Sequence, residues 1–440
     1  MSAPQRVHVV GAGLAGLAAS VRLAAAGIAV VLHEAARQAG GRCRSYDDAT
    51  LGCRIDNGNH LLIAGNTAAM EYLRAIGAAH TLVGPPEAAY PFLDLATGER
   101  WVMRPNAGRV PWWLLDRARR VPGTRALDYL RALRIAMAAR DATITDVLDR
   151  RATIFRRLWQ PLAVAALNTE VEHGSAALLG RVLRESFGRG GSACRPLVPR
   201  VGLSESLVEP ALDRLRAGGA ELRFGSRLRG IELDGERVTA LAFDSGSEPL
   251  APNAAVVLAV TAPVAARLVP GLEAPDEFRA IVNAHYRVAA PAESPLFVGL
   301  VGGAAEWVFR KREVLSVTIS AADRFIDTQA DELAALLWRD VVRAYELRDA
   351  TLPAWQIVKE RRATFAATPA QLLRRPPAAT RWANLALAGD WTATGLPATI
   401  EGAIRSGFAA AARLLHAWST APIDAPARRV PPPARDAKKT

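Results

Sequence analysis

Hydrophobic positions along the chain fall into short continuous runs and longer helical stripes. Residues 6–10 are a β-rich run, Gly11-Ala12-Gly13-Leu14-Ala15-Gly16 is a turn, and 17–26 carry helix formers closed by Gly27. Residues 28–33 predict a second strand closed by Glu34. From about 70 to 148 the pattern predicts helical stretches cut by prolines, and a helical block continues over 154–189. A further helix is predicted over 204–216, with Ser204 as its N-cap and Gly218-Gly219 at its end. Residues 221–243 alternate around Asp234-Gly235, a hairpin signal. Residues 256–260 read as a buried parallel strand. Short strands follow over 297–320, a helix over 331–345, a buried strand over 385–388 and a helix over 399–416. The stretch after Ser419 has no apolar period and predicts disorder.

Nucleotide-binding elements thus occupy both ends and the middle. The expected architecture is α/β: a Rossmann-like domain from 1–70, 196–280 and 371–420, an inserted α+β domain from 71–195 and 281–370, and a tail at 421–440. With 440 residues, the chain is too long for one compact domain. Three cysteines without Cys-x-x-Cys spacing fit a reducing compartment. No basic segment precedes the first apolar run, so no signal peptide is expected. Residues 250–266 are uncharged but broken by Pro252 and Pro263, which argues against a membrane span. These features predict a cytoplasmic protein. The net charge of +12 is almost wholly arginine, lysine occurring only at 311, 359, 438 and 439. That bias fits GC-rich coding or an anionic membrane surface; nucleic acid is not expected, since no zinc-finger or RNA-recognition signature is present.

Gly11-x-Gly13-x-x-Gly16 lies between a strand and a helix, the context that dinucleotide binding requires. Gly11 permits the sharp turn, Gly13 backbone approach to a pyrophosphate, and Gly16 close helix–strand packing. Leu14 and Ala15 open the helix whose N-terminus would face the phosphates. Glu34 stands where a ribose acceptor is expected, which suits FAD and NAD equally. Gly40-Gly41-Arg42 follows, the arginine suited to a phosphate or a carboxylate. Near the C-terminus, Gly389-Asp390 closes a strand ahead of a helix start at Thr399, Ile400 and Ala403. Asp390 could accept from a polyol or be an ordinary turn aspartate.

Together these blocks resemble the FAD-dependent amine oxidase and phytoene desaturase superfamily. That resemblance extends through Arg200-Val-Gly-Leu-Ser-Glu-Ser-Leu to Phe224-Gly-Ser-Arg-Leu228, where backbone near Leu228 would meet the adenine. It covers Val257-Leu-Ala-Val-Thr-Ala-Pro263 as well. No cysteine lies near the C-terminal block, so the implied FAD is non-covalent. Four phrases look like the squalene-associated branch, the hydroxysqualene dehydroxylases: Asp56-Asn-Gly-Asn59-His60, Trp159-Gln-Pro-Leu-Ala-Val-Ala-Ala-Leu-Asn168-Thr169, Arg361-Arg-Ala-Thr-Phe-Ala-Ala-Thr-Pro369 and Gly389 through Gly402. Asn59 departs from the glutamine expected there. The resemblance implies reduction of a long isoprenoid allylic alcohol, beside other squalene-pathway enzymes. An oxidative relative (a desaturase or amine oxidase) and a non-catalytic flavin-fold adaptor are the alternatives. No second Gly-x-Gly-x-x-Gly offers a nicotinamide site, which leaves the electron donor open.

Loss of an allylic hydroxyl needs an acid, and His60 and Asp56 are the candidates; a loop-bracing role for both is the competing reading. Val110-Pro-Trp112-Trp113-Leu-Leu115, rimmed by arginines, suits either a membrane-surface entrance or a packed aromatic cluster.

Overall fold

The computed structural model describes residues 6–419. Five parallel strands form one sheet in the order Glu221–Phe224, Ala29–Glu34, Arg6–Val10, Ala254–Leu258, Leu385–Leu387. Its strands are nearly continuous apolar runs because both faces are covered. Val7, Val9 and Val257 pack beneath the helices Leu14–Ala25 and Ile400–Ser419. Val256 and Leu258 face a three-stranded sheet of Leu228–Asp234, Arg237–Phe243 and Gly246–Pro249. Residues 221–243 are therefore not one hairpin. Glu221–Phe224 joins the parallel sheet, and only the strands flanking Asp234-Gly235 form the hairpin.

A second, seven-stranded sheet has the order Trp355–Phe365, Phe278–Arg287, Val314–Ile319, Trp307–Lys311, Phe297–Val301, Tyr90–Asp94, Arg100–Met103. The last two strands fall in a region read as helical. Tyr90–Asp94 pairs in parallel with Phe297–Val301, some 200 residues away, a partner that no local pattern reports. Residues alternate between two apolar faces of this sheet. Leu93, Leu300 and Val317 pack against the helix Ala330–Tyr345. Phe92, Trp101 and Trp307 line the other face, where helices from 154 to 185 supply Phe155 and Trp159.

The helix at 204 also differs in its start. Leu203 is already helical, a π turn spans Ser204–Val208, and Glu209–Ala217 follows. Ser204 caps nothing; its hydroxyl accepts from the Ser45 N–H at 2.7 Å. The Pro- and Arg-rich stretch predicted as disordered lies outside the described residues. No described helix is long and apolar enough to cross a membrane.

Helices Leu14–Ala25 and Ile400–Ser419 cross closely at Gly407, where a Cβ would stand 2.1 Å from the Ala15 carbonyl oxygen. Gly→Ala inside a helix ordinarily stabilises by about 0.5–1 kcal/mol. Gly407→Ala is expected to destabilise instead, by about 1–3 kcal/mol, as overpacked sites do. Thermal denaturation reads the sign directly, and a raised midpoint would contradict this packing.

Candidate active site

The glycines of the first turn divide the work. A Cβ on Gly11 would lie 2.5 Å from the Ala259 carbonyl oxygen, and one on Gly16 would lie 1.8 Å from that of Gly11. Both positions are backbone-to-backbone contacts. Gly13 has nothing within 4 Å of where its Cβ would be, so it clears space rather than packing. The helix that follows, beginning at Leu14 and Ala15, has no capping side chain and no acid in its first turn. Its positive end is left for an anion. Glu34 accepts from the N–H groups of Ala12 at 2.7 Å and Ala36 at 2.8 Å, which fixes its carboxylate beside the turn with lone pairs to spare. Ser226 donates its N–H to the Glu34 carbonyl at 2.8 Å and Gly225 to that of Ala36 at 3.0 Å, and so the chain leading to Leu228 runs along the same edge.

Gly40 (φ +105°) and Gly41 (φ +56°) bring the next loop onto the turn, the Gly40 N–H donating to the Ala12 carbonyl at 2.8 Å. Arg42 then donates to Asp390 at 2.7 Å and to the Ala363 carbonyl. Of the two partners the sequence allows Arg42, a phosphate or a carboxylate, the structure supplies the carboxylate of Asp390. The Asp390 carboxylate raises the Arg42 pKa further. The Gly389 N–H donates to Ser406 Oγ at 2.8 Å, and Thr399 Oγ1 accepts from Gly402 at 3.1 Å. The strand end therefore abuts the helix start at Ile400 and Ala403. Glu401 turns away to accept from Ala68 and Ala69 at 3.0 and 2.8 Å, capping the helix Thr67–Ala75.

Arg375 was not legible in the sequence. Its guanidinium is buried and donates to the carbonyls of Asp390, Trp391, Thr392 and Leu396 and to Thr394 Oγ1. Burial pulls its pKa down to about 10, which leaves it a cation holding the 390–396 loop by carbonyl dipoles. Arg374-Arg375-Pro376-Pro377 looks like any arginine-bearing loop, so only the fold reveals the part it plays.

The loop from Asp56 to His60 faces the seven-stranded sheet. Asp56 accepts from Lys311 at 2.5 Å, Ser45 at 2.5 Å and the Leu203 N–H at 2.8 Å. Burial opposes its charge, but Lys311 and these hydrogen bonds prevail, holding the carboxyl below its ordinary range. Burial, with the Lys311 ammonium second, lowers the His60 pKa to about 4. At neutral pH neither candidate acid stores a proton. Cys43 Sγ lies 4.0 Å from His60 Nε2, and burial pushes its thiol up to about 12, so it is not a thiolate.

Asn283 donates to the Asn57 carbonyl at 3.3 Å and accepts from Thr318 at 2.7 Å, while Asn59 donates to Thr318 at 3.0 Å. These ties pin the loop to the sheet. Asn59 Oδ1 and His285 Nε2 are among the buried polar atoms that have no partner within the described residues. Lys311, Asn283, Thr318 and His285 were not singled out from sequence; polar residues two apart at Asn283 and His285, in a strand otherwise rich in apolar residues, were the available signal.

Glycine turns from three distant segments that meet at the ends of parallel strands, beside a second, apolar sheet, are the arrangement of a flavin-dependent oxidoreductase. Residues 14–292 and 298–415 match the family of flavin-containing amine oxidoreductases. Hydroxysqualene dehydroxylase from Rhodopseudomonas palustris is 51% identical over 414 residues, 93% of this chain and 98% of that one. The protein of the same name from Sinorhizobium fredii is 48% identical over 95% of this chain and 100% of its own. A putrescine oxidase variant redesigned in cofactor binding superposes with a TM-score of 0.69 at 16% identity, covering 94% of this chain and 99% of that one, a likeness of fold. The chain belongs to the flavin-containing amine oxidoreductases and, within them, groups with the hydroxysqualene dehydroxylases.

Burial depresses three imidazoles: His33 and His285 to about 3 and His60 to about 4. In the unfolded chain each takes up a proton near pH 6.5, whereas in the folded chain it does so only near 3–4. The unfolded state therefore binds more protons in that window, and stability falls as pH drops through it. Denaturant midpoints at pH 7, 6 and 5 should decline, and His285→Gln should flatten the decline by up to about 1.4 kcal/mol per pH unit. Equal slopes in both proteins would contradict the buried neutral imidazole.

Proposed function

We propose that this protein reduces hydroxysqualene to squalene using FAD held non-covalently in the glycine crevice. The observation that carries the reading is near-full-length identity of about half to proteins of that name, joined to a crevice whose residues fit the cofactor. Gly13, with clear space where a side chain would stand, and the uncapped helix start fit a pyrophosphate at Gly11, Gly13, Leu14, Ala15 and Gly16. Glu34 would take the ribose and the backbone near Leu228 the adenine. Gly41, Arg42, Gly389, Asp390, Thr399, Ile400 and Ala403 would surround the rest. The unit built on the five-stranded sheet carries the cofactor, and the seven-stranded sheet receives the substrate. An oxidative function has weaker support, because the likeness to amine oxidase structures is one of fold.

Reduced FAD, when bound, supplies the hydride that replaces the hydroxyl. The residues of the chain prepare the alcohol. Asn59 Oδ1, buried without a donor, accepts from the alcohol O–H, and the neutral His60 ring donates to its oxygen. Asp56 positions this loop through Lys311, Ser45 and Leu203. One proton from solvent goes to the hydroxyl oxygen, the C–O bond breaks with its electron pair leaving on water, and positive charge spreads over the allyl group. The buried rings of Phe92, Trp159 and Trp307 would give such charge aromatic surroundings and contribute no carboxylate to trap it. The alcohol comes from a preceding enzyme of the squalene pathway, and the electrons from a nicotinamide or a partner protein. The reaction takes place at the inner face of the cytoplasmic membrane.

Anaerobic incubation of the purified flavoprotein with hydroxysqualene and a chemical reductant should give squalene. Unchanged alcohol, or desaturation of squalene by the oxidised enzyme, would overturn the assignment. His60→Ala should retain FAD and lose roughly tenfold in rate, the value of one hydrogen bond of about 1.4 kcal/mol. The loss should not vary between pH 6 and 8. A loss of about 10²–10⁴-fold that varies with pH over this range would make His60 the acid instead.

A further inference from the structure

Eleven large hydrophobic residues are prominently exposed among the described residues, and seven of them fall between 110 and 137. Trp112 is 51% exposed and Leu115 79%; Leu127, Leu130, Leu133 and Met137 are exposed by 71, 51, 58 and 77%. Monomeric soluble proteins seldom leave so many apolar side chains together in water. The segment is two-sided. Its other side buries Trp113, Tyr129 and Ile135, with Trp113 edge-on to Tyr129 at 5.4 Å and Tyr129 edge-on to Trp159 at 6.3 Å. Trp112-Trp113 therefore splits, one ring in the aromatic layer and its neighbour outside. The packed-cluster reading holds for Trp113, and Trp112 lies outside that cluster.

Charge decides what covers the outer side. Residues 104–140 contain nine arginines and only two acids, Asp116 and Asp128. Arg119 lies over the Trp112 ring at 4.8 Å and 3.8 Å from Asp116. Arg125, Arg131 and Arg134 are exposed on the short helices Ala126–Leu130 and Ala132–Ala136 or beside them. Among the described residues, no carboxylate lies within ion-pair distance of these three. Apolar side chains interleaved with unpaired guanidinium groups match the acyl boundary and headgroups of an anionic bilayer. A second copy of this chain would set like charges against each other.

We propose that the surface formed by Trp112, Leu115, Leu127, Leu130, Leu133 and Met137 docks the protein on anionic phospholipid, sinking its apolar side chains while the arginines bind phosphate groups. The inference rests in part on the isoprenoid-reductase reading, because it sets the docked face against the aromatic layer that would receive a membrane-dissolved substrate. Since no described helix is long and apolar enough to cross, attachment is from one side.

Co-sedimentation of the FAD-loaded protein with vesicles of phosphatidylglycerol and phosphatidylcholine tests this. Binding is expected to the mixed vesicles, to weaken in 1 M salt, and to be much weaker on phosphatidylcholine alone. The triple variant Arg125→Gln/Arg131→Gln/Arg134→Gln should lose roughly a hundredfold in vesicle affinity. Leu127→Gln/Leu130→Gln/Leu133→Gln should also release the protein. Because all six positions are exposed, both variants should keep wild-type melting and full turnover of detergent-dispersed hydroxysqualene. Vesicle binding unchanged in both variants, absence of binding by the native protein, or a lipid-free dimer broken by the leucine variant would each overturn the docking surface. Turnover in detergent reports separately on the proposed reaction, so the two can fail independently.

Discussion

Backbone lying directly on backbone is the constraint from which the rest of this structure follows. At Gly11 against Ala259, Gly16 against Gly11 and Gly407 against Ala15, a methyl group would collide with a main-chain oxygen. These crossings gather the N-terminal turn, the middle strand and the last helix around one crevice, although the residues come from opposite ends of the chain. Sequence separation makes such a meeting entropically costly, so it needs ties that are strong where they occur. The Arg42–Asp390 pair supplies one, joining positions 348 apart. Arg375 supplies another, satisfying the carbonyls of a loop that contributes few regular hydrogen bonds.

Charge is concentrated behind the reaction space rather than within it. Lys311 and Asp56 form an ion pair, and burial, helped by the Lys311 ammonium and opposed by the Asp56 carboxylate, keeps His60 uncharged. A neutral imidazole can donate a hydrogen bond without offering a cation to its surroundings. Beyond the loop, the sheet presents indoles and phenyl rings, which suit a long hydrocarbon and tolerate transient positive charge better than water would allow. The same aromatic layer continues through Tyr129 and Trp113 to an arginine-studded exterior, so this side of the fold grades from buried rings to exposed ones.

Much of the unit built on the five-stranded parallel sheet could be read from sequence because its signals are local. Glycine spacing, a strand on either side and a Gly-Asp turn each act within a few residues. The strands Tyr90–Asp94 and Arg100–Met103 were missed because prolines and mixed periodicity hide a pairing made with residues near 300. Ser204 looked like a helix cap, yet the chain had already turned helical and its hydroxyl was claimed by Ser45. Arg375, Asn283 and Thr318 were invisible for a related reason: what defines them is the company they keep after folding. In the sequence Asn59 stands out only as one amide in place of another, and its unpartnered oxygen is apparent only in the fold.

The central claim is that the crevice transfers reducing equivalents to an allylic alcohol rather than withdrawing them from a polyene. Rapid anaerobic mixing of the chemically reduced, FAD-loaded protein with one equivalent of hydroxysqualene tests it most directly. The account predicts that the oxidised flavin absorbance near 450 nm returns in a single phase, matched one-to-one by squalene. A flavin that stays reduced in the presence of the alcohol, yet is reduced from its oxidised form by squalene, would contradict it.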